Sequence, residues 1–304
     1  MCEARSSMTR DLLCIGAVLW DIIGRTGSRM RVGSDVPGRI SRLPGGVAMN
    51  IAMAAQPFGL RPVLLTAVGR DPEGDELVTA CEALGMEVGH VHRSESHPTD
   101  RYMAIEGENG LIAAIADAHS LEAAGARILT PLVDGTLGSP EAPYTGPVAL
   151  DGNLTLALLE EIAAHPAFAE ADLRVAPASP GKAERLRPFL HHHRAVLYVN
   201  LEEAGLLCGR LFTSAPEAAA ALIAGGARRV LVTDGSAAAA DGCARREGIL
   251  SAAPPPVTVA RITGAGDTFM AAHVAAELDG ADRATALEAA LRAAARYVSG
   301  ESPV

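Results

Sequence analysis

The chain has 304 residues, a mass of 31.3 kDa and a hydrophobic fraction of 49%, which suits one large α/β domain or two small ones. Its formal net charge is −10 and its basic residues are scattered, which argues against nucleic acid as a partner. No apolar run reaches the ~20 residues of a membrane-spanning helix, and the five cysteines form no Cys-x-x-Cys pair. The sequence therefore predicts a cytoplasmic protein without a membrane segment, zinc site or disulfide framework.

Short apolar runs alternate with amphipathic stretches along the whole chain. The predicted strands are 12–19, 63–68, 128–133, 147–150, 173–176, 195–199 and 229–233. The predicted helices are 47–58, 74–85, 154–164, 182–190, 201–208, 215–225, 267–278 and 282–298. Such alternation predicts a single three-layer α/β/α domain, 1–304, with a mostly parallel sheet and ligands beyond the carboxyl ends of its strands.

Two segments, about 22–43 and 90–117, interrupt this alternation. The first is polar and rich in Gly and Arg, whereas the second contains two extended runs joined by Glu108-Asn109-Gly110. Asn-Gly between such runs predicts a β-hairpin. We expect the two segments to form a small antiparallel lid over the ligand site; the alternative is that they are ordinary edge strands.

A glycine-rich turn, Thr263-Gly264-Ala265-Gly266-Asp267, opens the predicted helix 267–278. Such a turn directs free backbone N–H groups and the positive end of the helix dipole at an anion. A carboxylate at Asp267 would repel a phosphate unless it has a task of its own, such as accepting a proton from an attacking hydroxyl. The alternative is an aspartate that only caps its helix.

A second glycine pair, Gly45-Gly46, enters the helix 47–58 and places Asn50 on its first turn. The amide of Asn50 offers a donor and an acceptor, which suits sugar hydroxyls. Asp21 follows the first predicted strand, where its carboxylate can accept two hydroxyl hydrogens. Each residue taken alone is more often a cap or turn residue.

Asn200 and Glu203 follow the strand 195–199, and their oxygens suit a hydrated Mg²⁺ ion held partly through water. The same pair also fits an N-cap asparagine with its capping-box glutamate. Thr233 and Gly235 end a further strand, as the rim of a nucleotide site would require. Lys182, the only lysine, lacks P-loop spacing, which excludes a Walker-type NTPase.

The order of these motifs resembles the ribokinase-like, or PfkB, family of carbohydrate and nucleoside kinases. The resemblance covers nearly the whole chain, and its two signature regions correspond to residues 45–71 and 261–275. It implies a ribokinase-like fold with a β lid, and transfer of a phosphoryl group from ATP to a hydroxymethyl group.

The resemblance also implies a role for each motif. Asp267 would be the base, and the amides of Gly264, Ala265 and Gly266 would form the anion hole. ATP and Mg²⁺ would be the cofactors, with Asn200 and Glu203 organising the metal and the phosphates. The residues expected to line the nucleotide are Thr233, Gly235, Thr263, Gly264 and Gly266. The residues expected to bind the sugar are Asp21, Gly45, Gly46 and Asn50.

At the position of Arg261 the family usually has an acidic residue, where a monovalent-cation site is assembled. The arginine argues against dependence on K⁺. Ala176-Pro177 stands where relatives often have Asp-Pro, and Ala238 replaces a glycine.

Within the family, the lid is similar to that of pseudouridine kinases. The residues that carry this similarity, and that would bind the acceptor, are Thr99, Tyr102, Asp117 and Asn153. A ribose, adenosine or fructose-phosphate kinase, and a relative that binds ligands without catalysis, are the alternatives. Because exposed strand edges attract partners, we also expect a homodimer formed through the lid.

Overall fold

The computed structural model describes residues 10–31, 33, 35–245 and 248–304. The cysteines in these ranges, Cys14, Cys81, Cys208 and Cys243, are free thiols, and Cys2 lies outside them. Among the helices of the described residues, none combines the length and the apolar character that crossing a membrane requires.

Strands and helices alternate through most of the chain. The strands are β1 Asp11–Ile15, β2 Leu19–Arg25, β3 Arg39–Gly45, β4 Arg61–Leu65, β5 Ala67–Gly69, β6 His92–Ser94, β7 Arg101–Gly107, β8 Gly110–Asp117, β9 Pro147–Asp151, β10 Asp172–Ala176, β11 Ala195–Asn200, β12 Arg229–Thr233, β13 Ala239–Cys243 and β14 Ile249–Ala252. The α-helices are α1 Val47–Ala55, α2 Pro72–Ala83, α3 His119–Ala124, α4 Leu156–Ala164, α5 Leu201–Cys208, α6 Ala215–Ala224, α7 Ala265–Leu278 and α8 Arg283–Val298. The 3-10 helices are Gln56–Phe58, Gly125–Leu132, Pro166–Phe168 and Pro180–Phe189.

The main sheet has eight strands in the order β14-β13-β12-β11-β10-β9-β1-β4. Strands β4 to β12 in this order pair in parallel, whereas β13 and β14 pair antiparallel at one edge. Because parallel strands share a direction, their carboxyl ends meet at one side of the sheet. Asp151, Asn200 and Thr233 stand at these ends.

Helices cover both faces of the sheet, so its strands alternate between two apolar cores. One core holds Leu13, Ile15 and Leu150 with helices α4, α5 and α6, and the other holds Leu12 and Cys14 with α1, α7 and α8. This arrangement confirms the predicted three-layer α/β/α fold.

Four strands form a separate sheet, the lid sheet, in the order β3-β2-β7-β8. The predicted hairpin is confirmed, since β7 and β8 pair antiparallel and turn at residues 108–109. The prediction of an all-antiparallel lid is wrong, because β2 and β7 pair in parallel. The chain leaves β2 and β3 for helices α1 and α2 before it returns to the lid as β7, which makes a parallel pair possible.

Three predicted elements differ from the structure. The run 12–19 is divided, because the backbone turns at Gly16, where a Cβ atom would lie 2.5 Å from Oδ2 of Asp151. The predicted strand 128–133 lies mostly in a 3-10 helix, since Pro131 cannot donate to a strand ladder. The predicted helix 182–190 is also 3-10, with Pro188 inside it.

Candidate active site

The N-terminus of α7 faces open space. Gly264 caps this helix with φ 90°, a conformation that favours glycine, and a Cβ atom on Gly266 would meet nothing within 4 Å. The amides of Gly264, Gly266 and Asp267 have no hydrogen-bond partner among the described residues. The predicted contribution of Ala265 is wrong, because its amide donates to the carbonyl of Ile262 at 3.0 Å. The turn thus offers an anion three free amides.

Asp267 lies half-buried on the first turn of α7. Burial, together with the neighbouring negative charges of Asp151 and Glu203, raises the pKa of its carboxyl to about 7. The side-chain amide of Asn50 acts in the opposite direction by hydrogen bonding. A carboxyl with this pKa can take up and release a proton near neutral pH, as a general base must.

Helix α1 brings Asn50 to this carboxyl. The N-cap of α1, Gly46, has φ 92°, and a Cβ atom there would lie 2.4 Å from the carbonyl oxygen of Ala17. Because α1 packs against α7, their first turns lie side by side. The structure therefore brings together Gly46, Asn50 and Asp267, which are distant in sequence.

Asp151, at the end of β9, was not predicted as a site residue. Its side chain is fully buried, and its Oδ2 accepts hydrogen bonds from the amides of Ala17 at 2.8 Å and Ala48 at 3.2 Å. Its Oδ1 accepts from the amide of Asn153 at 2.5 Å. Burial raises the pKa of this carboxyl although these bonds lower it. Asp151 joins three segments, and its signals in the sequence are its position after an apolar run and its place in Asp151-Gly152-Asn153.

Asp21 lies in β2, half-buried, directly opposite Tyr102 of β7. Burial raises the pKa of Asp21 to about 6. Its carboxylate makes no hydrogen bond or ion pair within the part of the chain that the structure describes. A Cβ atom on Gly45 would lie 2.0 Å from Oδ2 of Asp21, so glycine provides the space for this carboxylate. A half-buried carboxylate without a partner is suited to accept ligand hydroxyls.

Asn200 and Glu203 form the capping box of α5. Oδ1 of Asn200 accepts from the amide of Glu203 at 2.9 Å, and Oε2 of Glu203 accepts from the amide of Asn200 at 2.8 Å. Glu203 is 7% exposed, burial raises the pKa of its carboxyl, and its Oε1 has no partner among the described residues. Thr233 pairs directly with Asn200 across neighbouring strands, so both stand at the same end of the sheet.

These residues fit a metal ion that is bound mostly through water and phosphates. Asp151 and Glu203 lie close enough to raise the pKa of Asp267, so a cation would relieve this repulsion. Within the described ranges, no three His, Cys, Asp or Glu side chains are grouped to hold an ion directly. Oxygen donors and incomplete protein coordination are typical of Mg²⁺ sites.

The other predicted site residues have different environments. Thr99 is 1% exposed, and its hydroxyl donates to Asp71 at 2.6 Å, so it supports a loop and is closed to a ligand. Asp117 binds His119 at 2.6 Å at the end of β8. Oδ1 of Asn153 accepts from Lys182 at 2.5 Å. Burial lowers the pKa of Lys182. From the sequence, this lysine was considered only as a P-loop residue.

Two further predicted nucleotide contacts are open to solvent. Gly235, with φ 55°, follows β12, and a Cβ atom there would meet nothing within 4 Å. Thr263 is exposed just before the α7 turn, and its carbonyl accepts from the hydroxyl of Tyr297 at 2.8 Å. Together with Thr233, these residues leave room along the sheet end beside the free amides.

Comparison with known proteins agrees with this architecture. A family model described as pfkB family carbohydrate kinase matches residues 9–303. The ribokinase of Arabidopsis thaliana, solved in complex with ribose and ATP, superposes with a TM-score of 0.74 at 19% identity, covering 96% of this chain and 93% of that one. At this identity the structural similarity shows the fold alone.

Two relatives are nucleoside kinases by name. The chain is 30% identical over 107 residues to the pseudouridine kinase of Escherichia coli (strain K12), covering 35% of this chain and 34% of the relative. It is 32% identical over 106 residues to the nucleoside kinase of Methanothermobacter thermautotrophicus, covering 34% of each. The alignments thus span about a third of the length of these relatives. Since the family model matches nearly the whole sequence, the chain belongs to the pfkB family of carbohydrate kinases.

Proposed function

We propose that this protein transfers the γ-phosphoryl group of ATP to the 5′-hydroxymethyl group of a nucleoside, with pseudouridine as the first acceptor to test. The observation that carries the proposal is the position of Asp267. Its carboxyl has a pKa raised to about 7 and stands in the same helical turn as three free amides. A proton acceptor next to an anion site is what transfer of a phosphoryl group to a hydroxyl requires, which supports the proposal.

The chain's own groups account for the chemical steps. Asp267 accepts the proton of the attacking hydroxyl, whose oxygen forms a bond to the γ-phosphorus while the bond to the β-phosphate oxygen breaks. The amides of Gly264, Gly266 and Asp267 stabilise the charge that spreads over the phosphoryl oxygens. Asn50 keeps the carboxyl of Asp267 oriented toward the acceptor. ADP and the phosphorylated acceptor are the products, and Asp267 returns its proton to water.

Asn200 and Glu203 would hold Mg²⁺ through water at the sheet end. When bound, the metal supplies charge neutralisation for the phosphates of ATP. The free Oε1 of Glu203 and the repulsion that Glu203 and Asp151 exert on Asp267 support this assignment. Thr233, Gly235 and Thr263 would border the nucleotide, because they leave open space at the same end of the sheet.

Several observations favour a nucleoside as the acceptor. The two curated relatives are named as pseudouridine and nucleoside kinases. Asp21, which makes no bond to the described residues, is placed to accept ribose hydroxyls, and Tyr102 opposite it offers a ring. Asn153 follows β9 and accepts a hydrogen bond from Lys182, so the two provide polar groups that could recognise a base. We propose that Asn153 contacts the base and that Thr99 only supports its own loop through Asp71. Asp117 pairs with Arg101, next to the pair of Tyr102 and Ala116, so it lies on the opposite face of the lid sheet and is not assigned to the base.

Ribose, adenosine and fructose-phosphate remain alternative acceptors, and non-catalytic binding remains an alternative function. A panel of acceptors with Mg-ATP discriminates them by the release of ADP. We expect turnover with pseudouridine, and we expect the Asp267→Asn variant to lose ~10²–10⁴-fold in kcat while retaining ATP binding. No turnover with any acceptor, despite binding of a nucleoside in calorimetry, would support the non-catalytic alternative.

The lid sheet has an exposed apolar face that is suited to dimerisation. Ile40, Met103, Ile105 and Ile115 lie on the face opposite Asp21 and Tyr102, and 77%, 48%, 39% and 70% of their surfaces are exposed. An exposed apolar sheet face is typical of a partner site. We propose that this face packs on its counterpart in a second copy, and that the opposite face closes over the acceptor. A cytoplasmic location stays a prediction from the sequence.

A further inference from the structure

The anion-binding turn before α7 is fastened to the end of α8 by two side chains, those of Arg261 and Tyr297. The hydroxyl of Tyr297 donates to the carbonyl of Thr263 at 2.8 Å. Nε of Arg261 donates to the carbonyl of Tyr297 at 2.7 Å, and Nη2 donates to the carbonyl of Glu301 at 3.3 Å. The guanidinium also lies over the ring of Tyr297, 3.7 Å from its centroid. Each side chain therefore restricts the position of the other.

The main chain of the same loop is also hydrogen-bonded to the end of α8. The amides of Ala260 and Arg261 donate to the carbonyl of Val298 at 2.9 Å and 3.1 Å. Helix α8 is anchored independently, because it packs along α7 and its apolar side lies in the core. The loop that carries the free amides is consequently attached to a rigid element.

Because Gly264 has no side chain, the hydroxyl of Tyr297 can lie against the anion-binding turn. A Cβ atom on Gly264 would lie 2.5 Å from the hydroxyl oxygen of Tyr297, and the carbonyl of Gly264 accepts from the amide and hydroxyl of Thr268, each at 2.9 Å. A displacement of Tyr297 would therefore alter the backbone whose amides face the phosphates. Since donors must be aligned before the reaction to stabilise a transition state, small displacements reduce the rate.

Arg261 adds a permanent positive charge to this contact. The guanidinium donates to two main-chain carbonyls, those of Tyr297 and Glu301. A guanidinium stays protonated throughout the physiological pH range. These carbonyls are thus satisfied by the chain itself, which leaves them no need for an added cation.

We propose that Arg261 and Tyr297 are positioning residues for phosphoryl transfer, which hold the amides of the anion-binding turn in place and make this function independent of a monovalent cation. The inference rests on the proposed function of the turn as the site for the phosphates of ATP. It assigns both side chains a role in binding and turnover of ATP, and none in selecting the acceptor.

The test compares wild type with Tyr297→Phe, Arg261→Ala and the control Arg292→Ala. Arg292 is also on α8, and among the described residues its exposed side chain pairs only with Glu288, at 3.4 Å. We expect Tyr297→Phe to reduce kcat about 5-fold, and Arg261→Ala to reduce kcat/KM for ATP by about 10-fold or more, with KM for the acceptor unchanged. Millimolar guanidinium or K⁺ should partly restore Arg261→Ala, whereas wild type and the control should not respond to K⁺.

Kinetic constants like those of wild type in both variants, or activation of wild type by K⁺, would overturn the inference. If wild type turns over no acceptor, the proposed function is wrong, but the positioning role is still measurable by amide hydrogen exchange of the segment 260–268. Faster exchange in Tyr297→Phe than in Arg292→Ala would support it. Equal exchange in the two variants would overturn it.

Discussion

Asp21 and Gly45 lie so close that the Oδ2 atom of the aspartate fills the space in which a side chain at position 45 would begin. A Cβ atom there would be 2.0 Å from Oδ2, closer than any real contact of that kind. The two residues are diagonal neighbours in the pairing of β2 with β3, since Gly45 pairs with Leu19 and Leu43 with Asp21. The orientation of Asp21 toward the cleft thus depends on a glycine.

Replacing Gly45 by alanine should therefore impair acceptor binding. We expect KM for the acceptor to rise about 10-fold, because the displaced Asp21 loses a hydrogen bond to the ligand that involves a charged group. KM for ATP should not change. Steady-state kinetics with each substrate varied in turn measures both values. Gly27→Ala is the control, since a Cβ atom on Gly27 would meet nothing within 4 Å; equal KM values in both variants would contradict the prediction.

The rate should depend on pH through the carboxyl of Asp267. A general base must be deprotonated, and burial raises the pKa of this group to about 7. We expect kcat/KM for the acceptor to rise about tenfold per pH unit below pH 7 and to level off above it. A pH profile from pH 5 to 9 at saturating Mg-ATP measures this. A profile that is flat between pH 5 and 7 would exclude Asp267 as the base.

The raised pKa of Asp267 also affects stability. Between its ordinary value of 3.8 and about 7, the folded protein binds a proton that the unfolded chain has released, so stability falls as pH rises across this range. Asp267→Asn removes the buried charge. We expect the variant to gain about 2 kcal/mol in free energy of unfolding at pH 8 and nothing at pH 4. Urea titrations at both pH values test this, and a loss of stability at pH 8 would contradict it.

A charged cluster stabilises the other end of α7. Arg174 donates to Glu277 at 2.5 Å and to Asp172, while Arg229 contacts both Glu277 and Asp241. Although burial opposes it, the attraction of these arginines lowers the pKa of Glu277 to about 2. Arg174→Met should cost about 3–5 kcal/mol, because it leaves Glu277 buried with fewer partners.

The pH dependence of this cluster follows from the same shift. Since the pKa of Glu277 is lowered on folding, its contribution is complete above pH 4.5 and is lost as pH falls toward about 2. We expect Arg174→Met to unfold in acid at a higher pH than wild type, as circular dichroism would measure. Arg187→Met, which removes an exposed arginine beside Glu184, is the control. Identical acid transitions in the two variants would show that the cluster does not stabilise the fold.

The proposed dimer depends on the apolar face of the lid sheet. Ile115→Asp places a charge on that face, and burying it in an interface would be unfavourable. We expect light scattering to show a dimer for wild type and a monomer for the variant. Leu211→Asp is the control, because Leu211 is 96% exposed outside the lid. A monomeric wild type at working concentration would reject the proposal.

Local signals were sufficient for much of the architecture. The Asn-Gly pair at 109–110 predicts the hairpin of β7 and β8, and the start of α7 after Gly264 follows from a glycine turn before helix-forming residues. These features depend on neighbours in sequence, so periodicity and turn chemistry reveal them. Strands β13 and β14 escaped prediction because their small residues, such as Ala239 and Ala240, carry no clear alternation.

The sequence by itself determined the fold class, the order of the motifs and the candidates Asp21, Asn50, Asn200 and Asp267. Only the tertiary structure decided which of them share a site, which of them are already hydrogen-bonded, and how burial shifts their pKa values. It buries Asp151 beneath the cleft, engages the amide of Ala265 and the hydroxyl of Thr99, and raises the pKa of Asp267. Hydrogen bonding and desolvation act over a few ångströms in space. Residues separated by more than a hundred positions therefore set one another's chemistry in ways that no local pattern records.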